Sequence, residues 1–411
     1  MSRTVLILSY FANYDGMACS HHIDVRLSAL KSCNATPILL TSMCANRHPA
    51  IEHYRVPSCS FSGLRFEIRQ RWQKRIQRSP YWKILRDFLT LPLIPFYALE
   101  KMLSRQDPTW YWYPLGVLMG MWICRRRPVD TLYSTGGPPV VHAVARTLSR
   151  LFAIRWLAEV QDPLIHGYCA RHQEELRKLQ EVEQSMYRDA TRVIFLTQAA
   201  MAETEKRVEM TGKGVVVYPG AEPVPGRPLQ SRDNCWRLAH FGSLGGVRNM
   251  QSLLAAMEEA VKSCPELGEN MRVDLYGNIG KDDLQRLHAS PLKSLFSFKG
   301  CVDHATALAA MATYDLLLLI QGVHEISRET IPSKCYEYFL SGAPVLGLVH
   351  DNEELEAMFH ELGHRCAPAG QPMHIAEILL SCYQQRNQRR EHPGLPSPYT
   401  VDRAVRQLIA L

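Results

Sequence analysis

The stretch E-T-I-P-S-K-C-Y-E-Y-F-L-S-G-A-P-V, from Glu329 to Val345, decides the fold. Pro332 suits the first turn of a helix, where its missing N–H costs nothing. Gly342 suits the position just past a helix end, and Pro344 stops any continuation. The stretch therefore predicts a helix over Pro332–Ser341, with a strand at Pro344–Leu348 after it. An apolar run at Leu316–Ile320 precedes it. Strand, helix and strand in that order predict parallel pairing.

The same alternation extends outward along the chain. Strands are expected at Thr4–Ser9, Pro37–Thr41, Thr131–Ser134, Ile154–Ala158, Arg192–Leu196 and Val215–Tyr218. In the second half they are expected at Arg237–Phe241, Arg272–Tyr276 and Leu295–Lys299 as well. These runs are apolar without strict alternation, the pattern of strands covered on both faces. The expectation is an α/β chain of two Rossmann-like domains with parallel sheets facing across a cleft. Pro219, Gly220, Pro223, Pro225, Gly226 and Pro228 form a turn-rich stretch that serves as the linker. The first domain is read as residues 1–220 and the second as 221–395. A C-terminal helix at 396–411 is expected to pack back on the first domain.

Composition bounds the function. The chain has 411 residues, 46% hydrophobic and 21% charged, with a net charge of +7. That is a globular balance with a mild basic surplus, compatible with an anionic ligand or membrane surface. The twelve cysteines include no Cys-x-x-Cys pair. They read as buried free thiols of a reducing compartment. No apolar run reaches the ~20 residues that span a bilayer. The longest, Trp110 to Cys124, contains Pro114 and runs into Arg125, Arg126 and Arg127. The apolar start, Thr4 to Tyr10, reads as a first strand, not a secretory signal.

Residues 64–127 differ from the rest. Leu64, Ile68, Trp72 and Ile76 recur at every fourth position, and Pro80 ends that pattern. Six basic residues, Arg65, Arg69, Arg71, Lys74, Arg75 and Arg78, face a single acid, Glu67. Aromatic and apolar stretches follow. A basic amphipathic helix beside aromatic segments is a membrane-interface pattern; a solvated charged face over an ordinary core is the plainer alternative. Nucleic acid is not indicated, because the basic residues sit beside apolar faces instead of along a stacking groove.

Four segments carry candidate chemistry. Glu329 and Glu337 flank or lie within the predicted helix, and carboxylates accept well from paired sugar hydroxyls. Lys334 adds a cation in the first turn, where free N–H groups favour an anion. His240–Asn249, H-F-G-S-L-G-G-V-R-N, is a glycine-rich turn after a strand, with Arg248 placed to clamp a diphosphate. It lacks the Gly-Lys-Ser/Thr ending of a triphosphatase loop. Ser134–His142, S-T-G-G-P-P-V-V-H, and Glu159–Pro163, E-V-Q-D-P, each follow a strand in the first half. Asp162 is the candidate acid there, with a structural Asp-Pro turn as the alternative. Gly136, Gly137, His142 and Asp162 are assigned to an acceptor-side cleft, and His142 has a structural reading beside the catalytic one.

These four segments resemble the family-4-like glycosyltransferases of the GT-B fold, especially bacterial enzymes of surface-polysaccharide assembly. The resemblance covers nearly the whole chain. It implies that the second domain holds a nucleotide sugar, with Arg248 and Lys334 on the diphosphate, Glu337 on the ribose and Glu329 on the sugar. The donor site read this way takes in Gly16, Gly242, Ser243, Arg248, Gly277, Val302, Glu329, Ser333, Lys334 and Glu337. The family's first loop carries a glycine pair, and this chain has Asp15-Gly16. Asp162, Arg248 and Glu329 are the catalytic candidates. The resemblance further implies transfer with retention and no metal or other cofactor. The acceptor is then a polysaccharide or a lipid-linked saccharide. The protein is expected in the cytoplasm, peripheral on the inner face of the membrane through residues 64–127. Two other readings stand beside this one: a sugar-nucleotide epimerase, and a non-catalytic nucleotide-sugar-binding subunit of an assembly complex.

Overall fold

A computed structural model describes residues 3–14, 18–78, 80–103, 107–165, 173–223, 235–386 and 396–411. The chain forms two compact units: Met1–Val217 with Val405–Leu411, and Tyr218–Ala404. Much of the linker stretch, from 224 to 234, lies outside the described residues.

The first unit is built on seven strands: β1 (Arg3–Leu8), β2 (Ala35–Ser42), β3 (Glu52–Val56), β4 (Thr131–Thr135), β5 (Arg155–Val160), β6 (Arg192–Phe195) and β7 (Gly214–Val216). Their order is β3-β2-β1-β4-β5-β6-β7, and every pairing is parallel. The second unit has six: β8 (Trp236–Phe241), β9 (Met271–Tyr276), β10 (Phe296–Gly300), β11 (Leu316–Ile320), β12 (Val345–Val349) and β13 (Arg365–Pro368). Their order is β10-β9-β8-β11-β12-β13, again all parallel.

The strand order reverses between β1 and β4 in one sheet and between β8 and β11 in the other. Such a reversal opens a crevice at the carboxyl ends of the strands, the usual ligand position in open α/β sheets. Double coverage explains the unbroken apolar runs. In β11, Leu316, Leu318 and Ile320 join one core cluster, while Leu317 and Leu319 join the cluster on the opposite face. β12 divides the same way, with Leu346 and Leu348 on one side and Val345 and Val349 on the other.

β3 and β13 were not among the expected strands. Both are edge strands: β3 reads E-H-Y-R-V with one buried residue, and β13 is four residues ending in Pro368. Each has a single buried residue, so its apolar signal is weak.

The 64–127 region separates into two kinds of structure. The basic helix starts earlier than its periodicity predicts, at Phe61, and ends at Arg78. Pro80 ends it and opens the next helix, Pro80–Thr90. The longest apolar run becomes a 3-10 turn, Pro108–Trp112, and a helix, Tyr113–Arg126. Part of that helix serves the core. Gly116 and Gly120, one turn apart, let it approach the helix Val140–Phe152. A Cβ on Gly120 would stand 2.4 Å from Leu148 Cδ1, and one on Gly116 3.2 Å from Val144 Cγ2. Glu67 is buried instead of balancing the surface charge. It accepts from Ser58 N at 3.0 Å, Ser58 Oγ at 2.7 Å and the Tyr10 hydroxyl at 3.0 Å.

The last helix, Val401–Ala410, passes from one unit to the other along its length, and Arg3 Nη1 donates to Ile409 O at 2.9 Å. All cysteines among the described residues are free thiols. No helix among the described residues is long and apolar enough to cross a membrane.

Candidate functional site

In the second unit the glycine turn leaves β8 at its carboxyl end, beside the point where the strand order reverses. Gly242 N donates to Tyr276 O at 2.8 Å, and Leu244 N donates to Asn278 O at 2.9 Å, so the turn is laced to the loop after β9. Gly277 belongs to that loop and has φ +113, a backbone that L side chains rarely adopt. A Cβ there would lie 2.5 Å from Gly242 O, a backbone atom that cannot swing aside. Gly277→Ala is therefore expected to cost about 2 kcal/mol through backbone strain and to distort the turn. A thermal melt combined with nucleotide titration checks this, and an unchanged melt with unchanged titration would refute the close approach.

The helix carrying Glu337 spans Lys334–Leu340, shorter than the predicted Pro332–Ser341. Pro332 and Ser333 form the approach instead, with Cys335 N donating to Pro332 O at 2.9 Å. The structure brings this motif to the glycine turn. Lys334 Cε lies 3.5 Å from the point where a Cβ of Gly242 would stand, and His240 Nε2 lies 3.2 Å from the same point. His240 was not singled out as a candidate. Its Nδ1–H donates to Leu318 O at 2.8 Å, which leaves Nε2 as a buried lone pair. Burial first, then Arg248 and Lys334, push its pKa down to about 4, so the imidazole is neutral.

Arg248 is exposed at the far end of the turn, which Gly245 N closes by donating to Arg248 O at 2.7 Å. Ser243 and Ser333 are exposed, and Val302 is exposed after β10. Glu337 is buried, and Oε1 stands 2.9 Å from His304 Nε2. The hydrogen bond to Glu337 raises His304 above the ordinary histidine value. Glu329 lies on the loop, as read, at the end of a 3-10 turn, Glu325–Arg328. Two amides hold that loop. Gln321 Nε2 donates to Ser327 O and Thr330 O at 2.7 and 3.0 Å, and Asn352 Nδ2 donates to the same carbonyls at 2.7 and 3.1 Å. Gln321 directly follows β11, a position whose signal was visible in the sequence.

The first unit has its own cluster at the reversal of strand order. Gly136 and Gly137 follow β4 with φ of +68 and +80. A Cβ on Gly136 would stand 3.1 Å from Gln161 Nε2, and one on Gly137 2.9 Å from Phe11 Cδ2. Beneath this loop is a buried charge network centred on Glu159. Arg26 Nη1 pairs with Glu159 Oε2, His22 Nε2 lies 3.1 Å from Oε1, and Thr135 Oγ1 donates to Oε1 at 2.6 Å. Gln161 Nε2 joins by donating to Thr135 Oγ1 at 3.1 Å. Burial alone would raise the Glu159 carboxyl, but Arg26 and His22 hold it well below the usual carboxylate range. The E-V-Q-D-P segment thus contributes a buried anchor at Glu159, three residues before the candidate acid.

Asp162 is exposed, and its charge is felt at the Cys19 thiol, whose pKa is raised chiefly by burial. His142 is buried, with Nδ1 2.9 Å from Ser134 Oγ, which also accepts from Trp156 Nε1 at 2.8 Å. Burial lowers its pKa to about 4. Gly16 lies outside the described residues.

No protein-family model matches the chain, and no curated protein sequence does. Solved structures match over its length. HepE of Anabaena, in complex with UDP and glucose, is 14% identical with a TM-score of 0.62, over 100% of this chain and 98% of that one. Sucrose-phosphate synthase from Thermosynechococcus elongatus is 12% identical with a TM-score of 0.61, over 99% and 98%. The lipopolysaccharide outer core galactosyltransferase WaaB is 10% identical with a TM-score of 0.56, over 99% of each chain. At such identities the likeness carries the architecture: two Rossmann-like α/β domains of the GT-B fold.

Proposed function

We propose that the protein is a glycosyltransferase that moves a sugar from a nucleoside-diphosphate sugar, held by the second unit, to a saccharide or lipid-linked saccharide. One observation carries this reading. Lys334, from one sequence motif, stands against Gly242 of another, 92 positions earlier in the chain, at the crevice end of the second sheet. A cation beside a glycine turn, where no Cβ blocks close approach, suits a diphosphate. The neighbouring structures support it: HepE has been crystallised with UDP, with UDP and glucose, and with UDP-glucose.

In this reading Arg248 and Lys334 hold the diphosphate, Glu337 the ribose and Glu329 the sugar. The bond from the anomeric carbon to the phosphate oxygen breaks while the acceptor oxygen attacks. Positive charge gathers on the sugar and negative charge on the leaving diphosphate. Fixed cations aimed at the diphosphate lower that barrier and need no metal. Retention is the stereochemical outcome that the family resemblance implies. The acceptor side belongs to the first unit, with the Asp162 carboxylate as the base that takes the proton of the attacking acceptor hydroxyl and with peripheral contact to an anionic membrane through the 64–127 region.

Thermal melts with UDP, GDP, CDP, dTDP and NAD test the donor site. A ligand that binds only the folded chain raises the melting temperature. The expected result is a rise of several degrees with one nucleoside diphosphate; no rise with any of them, or a rise with NAD alone, overturns the reading. Asp162→Ala is expected to keep that rise and to lower turnover about 100-fold, the scale of a lost acid–base group. Unchanged turnover would make Asp162 a turn residue.

A further inference from the structure

The exposed large apolar side chains of the first unit concentrate on one short stretch. After the basic helix Phe61–Arg78 come the helix Pro80–Thr90, a 3-10 turn at Leu91–Leu93 and the helix Ile94–Leu103. Tyr81, Ile84, Phe88 and Leu91 recur at helical spacing and are exposed, Ile84 at 70% and Phe88 at 71%. Leu99 and Met102 continue the surface on the next helix, Met102 at 84% exposure. A soluble surface rarely leaves so continuous an apolar patch open to water.

The charge around it has one sign. Residues 61–103 contain nine Lys and Arg against three Asp and Glu. Each acid is engaged by the protein itself. Glu67 is buried against Ser58 and Tyr10, Asp87 pairs with Arg86 at 2.6 Å, and Glu100 accepts from Ser62 N at 3.1 Å and from its hydroxyl. Arg65 is stacked over Tyr97 at 4.8 Å, which ties the basic helix to the helix Ile94–Leu103. A stretch of basic sequence that also exposes an apolar stripe complements an anionic lipid interface on both counts. The helix Pro80–Thr90 has eleven residues, about 16 Å of rise, against a hydrocarbon core of about 30 Å. It is too short to span and suited to lie in the interface.

We propose that the helices Pro80–Thr90 and Ile94–Leu103 penetrate the interfacial layer of an anionic bilayer, so that the protein is held by apolar burial as well as by charge. This deepens the acceptor-side reading above by narrowing a contact spread over residues 64–127 to one penetrating helical pair. The helix Tyr113–Arg126 is left out of the proposed pair, because its glycine seam packs on the helix Val140–Phe152 and its exposed apolar side chains are only Leu118 and Trp122.

Flotation of the full chain with vesicles tests the inference. Vesicles of phosphatidylcholine alone and with 30% phosphatidylglycerol, the latter in roughly 0.1 M and 1 M NaCl, separate penetration from charge adhesion, since salt at 1 M shortens screening to about 3 Å. Binding to the anionic vesicles that survives 1 M salt is expected. The pair Ile84→Glu with Phe88→Glu should reduce it at least tenfold without changing the melting temperature, and Met102→Glu should reduce it independently. Complete release by salt, or binding unaltered in both variants, overturns penetration. Absence of flotation with concentration-dependent dimerisation that Phe88→Glu abolishes also overturns it and assigns the patch to a second copy of the chain. The nucleotide melts are a separate readout: a chain that responds to a nucleoside diphosphate but does not float loses this inference alone, and one that floats without responding loses the donor reading alone.

Discussion

Glu159→Ala lowers the melting temperature of the protein by roughly 10 °C. The physical reason is the buried Arg26. Its guanidinium is almost wholly inaccessible, Nη1 pairs with Glu159, and Nε and Nη2 have no protein partner. Removing one member of a buried ion pair leaves the other charge uncompensated, at a cost of about 3–5 kcal/mol. A domain of this size loses roughly 2–4 °C per kcal/mol. Glu159→Gln is expected to behave nearly as badly, because the amide keeps the shape but not the charge. Replacing both partners, Arg26→Met with Glu159→Leu, should recover much of the loss, since apolar pairs of similar volume tolerate such a site. The pH dependence follows. The folded carboxyl lies below its unfolded value of about 4.3. Its contribution is therefore fully present above that value and declines as pH falls toward the folded one. Wild type and Glu159→Gln should then differ most at neutral pH and converge in acid. Circular-dichroism melts between pH 3 and pH 8 check both points; equal melting temperatures at neutral pH would show that the pair contributes nothing.

The second large effect is on turnover. Arg248→Ala is expected to lower kcat by about 100- to 1000-fold, the scale for one lost donor to a developing anion. Arg248 stands at the exposed end of the turn, so the substitution should leave the melting temperature of the free protein nearly unchanged. Because Arg248 holds the diphosphate, its loss also weakens nucleotide binding, whereas Glu337→Ala should act chiefly on binding. Glu337 is buried and bonded to His304, and in the proposed site it accepts from the ribose. Losing charge-assisted hydrogen bonds of this kind weakens nucleotide binding by about 1.5–3 kcal/mol, or roughly 10- to 100-fold. Initial-rate kinetics with isothermal titration of the matching diphosphate separates the two. Normal nucleotide affinity in Glu337→Ala, together with normal kcat in Arg248→Ala, would sink the donor-site assignment.

The strands that pair at the centre of each sheet were legible because both their faces are buried. L-L-L-L-I in β11 and V-L-G-L-V in β12 have no polar side to confuse the pattern. The helix after Glu329 was legible from its proline and glycine punctuation, though it begins at Lys334, because Pro332 and Ser333 turn the chain before the helix. Glu67 shows the limit. In the sequence it is the single acid among six basic residues, but the helix is laid against Ser58 and Tyr10, and their hydrogen bonds take the carboxylate inside. Helical periodicity tells which residues share a face; which face is covered depends on distant parts of the chain.

The sequence alone determined the α/β alternation, the placing of the candidate motifs at turns of the chain, and the position of Glu329 before one short helix with Glu337 within it. Those features are local: they rest on apolar runs, turn residues and spacing. Only the tertiary structure decided that Lys334 and His240 meet at Gly242, that Gly277 must yield to the Gly242 carbonyl, and that Glu159 is the buried anchor beside the exposed Asp162. It also decided which apolar segment is core and which is surface: Gly116 and Gly120 admit a second helix, while Ile84 and Phe88 have nothing packed over them. The physical reason is the same in each case. Local propensity acts through neighbours along the chain, whereas burial and charge pairing are set by groups that the sheets bring together from far apart.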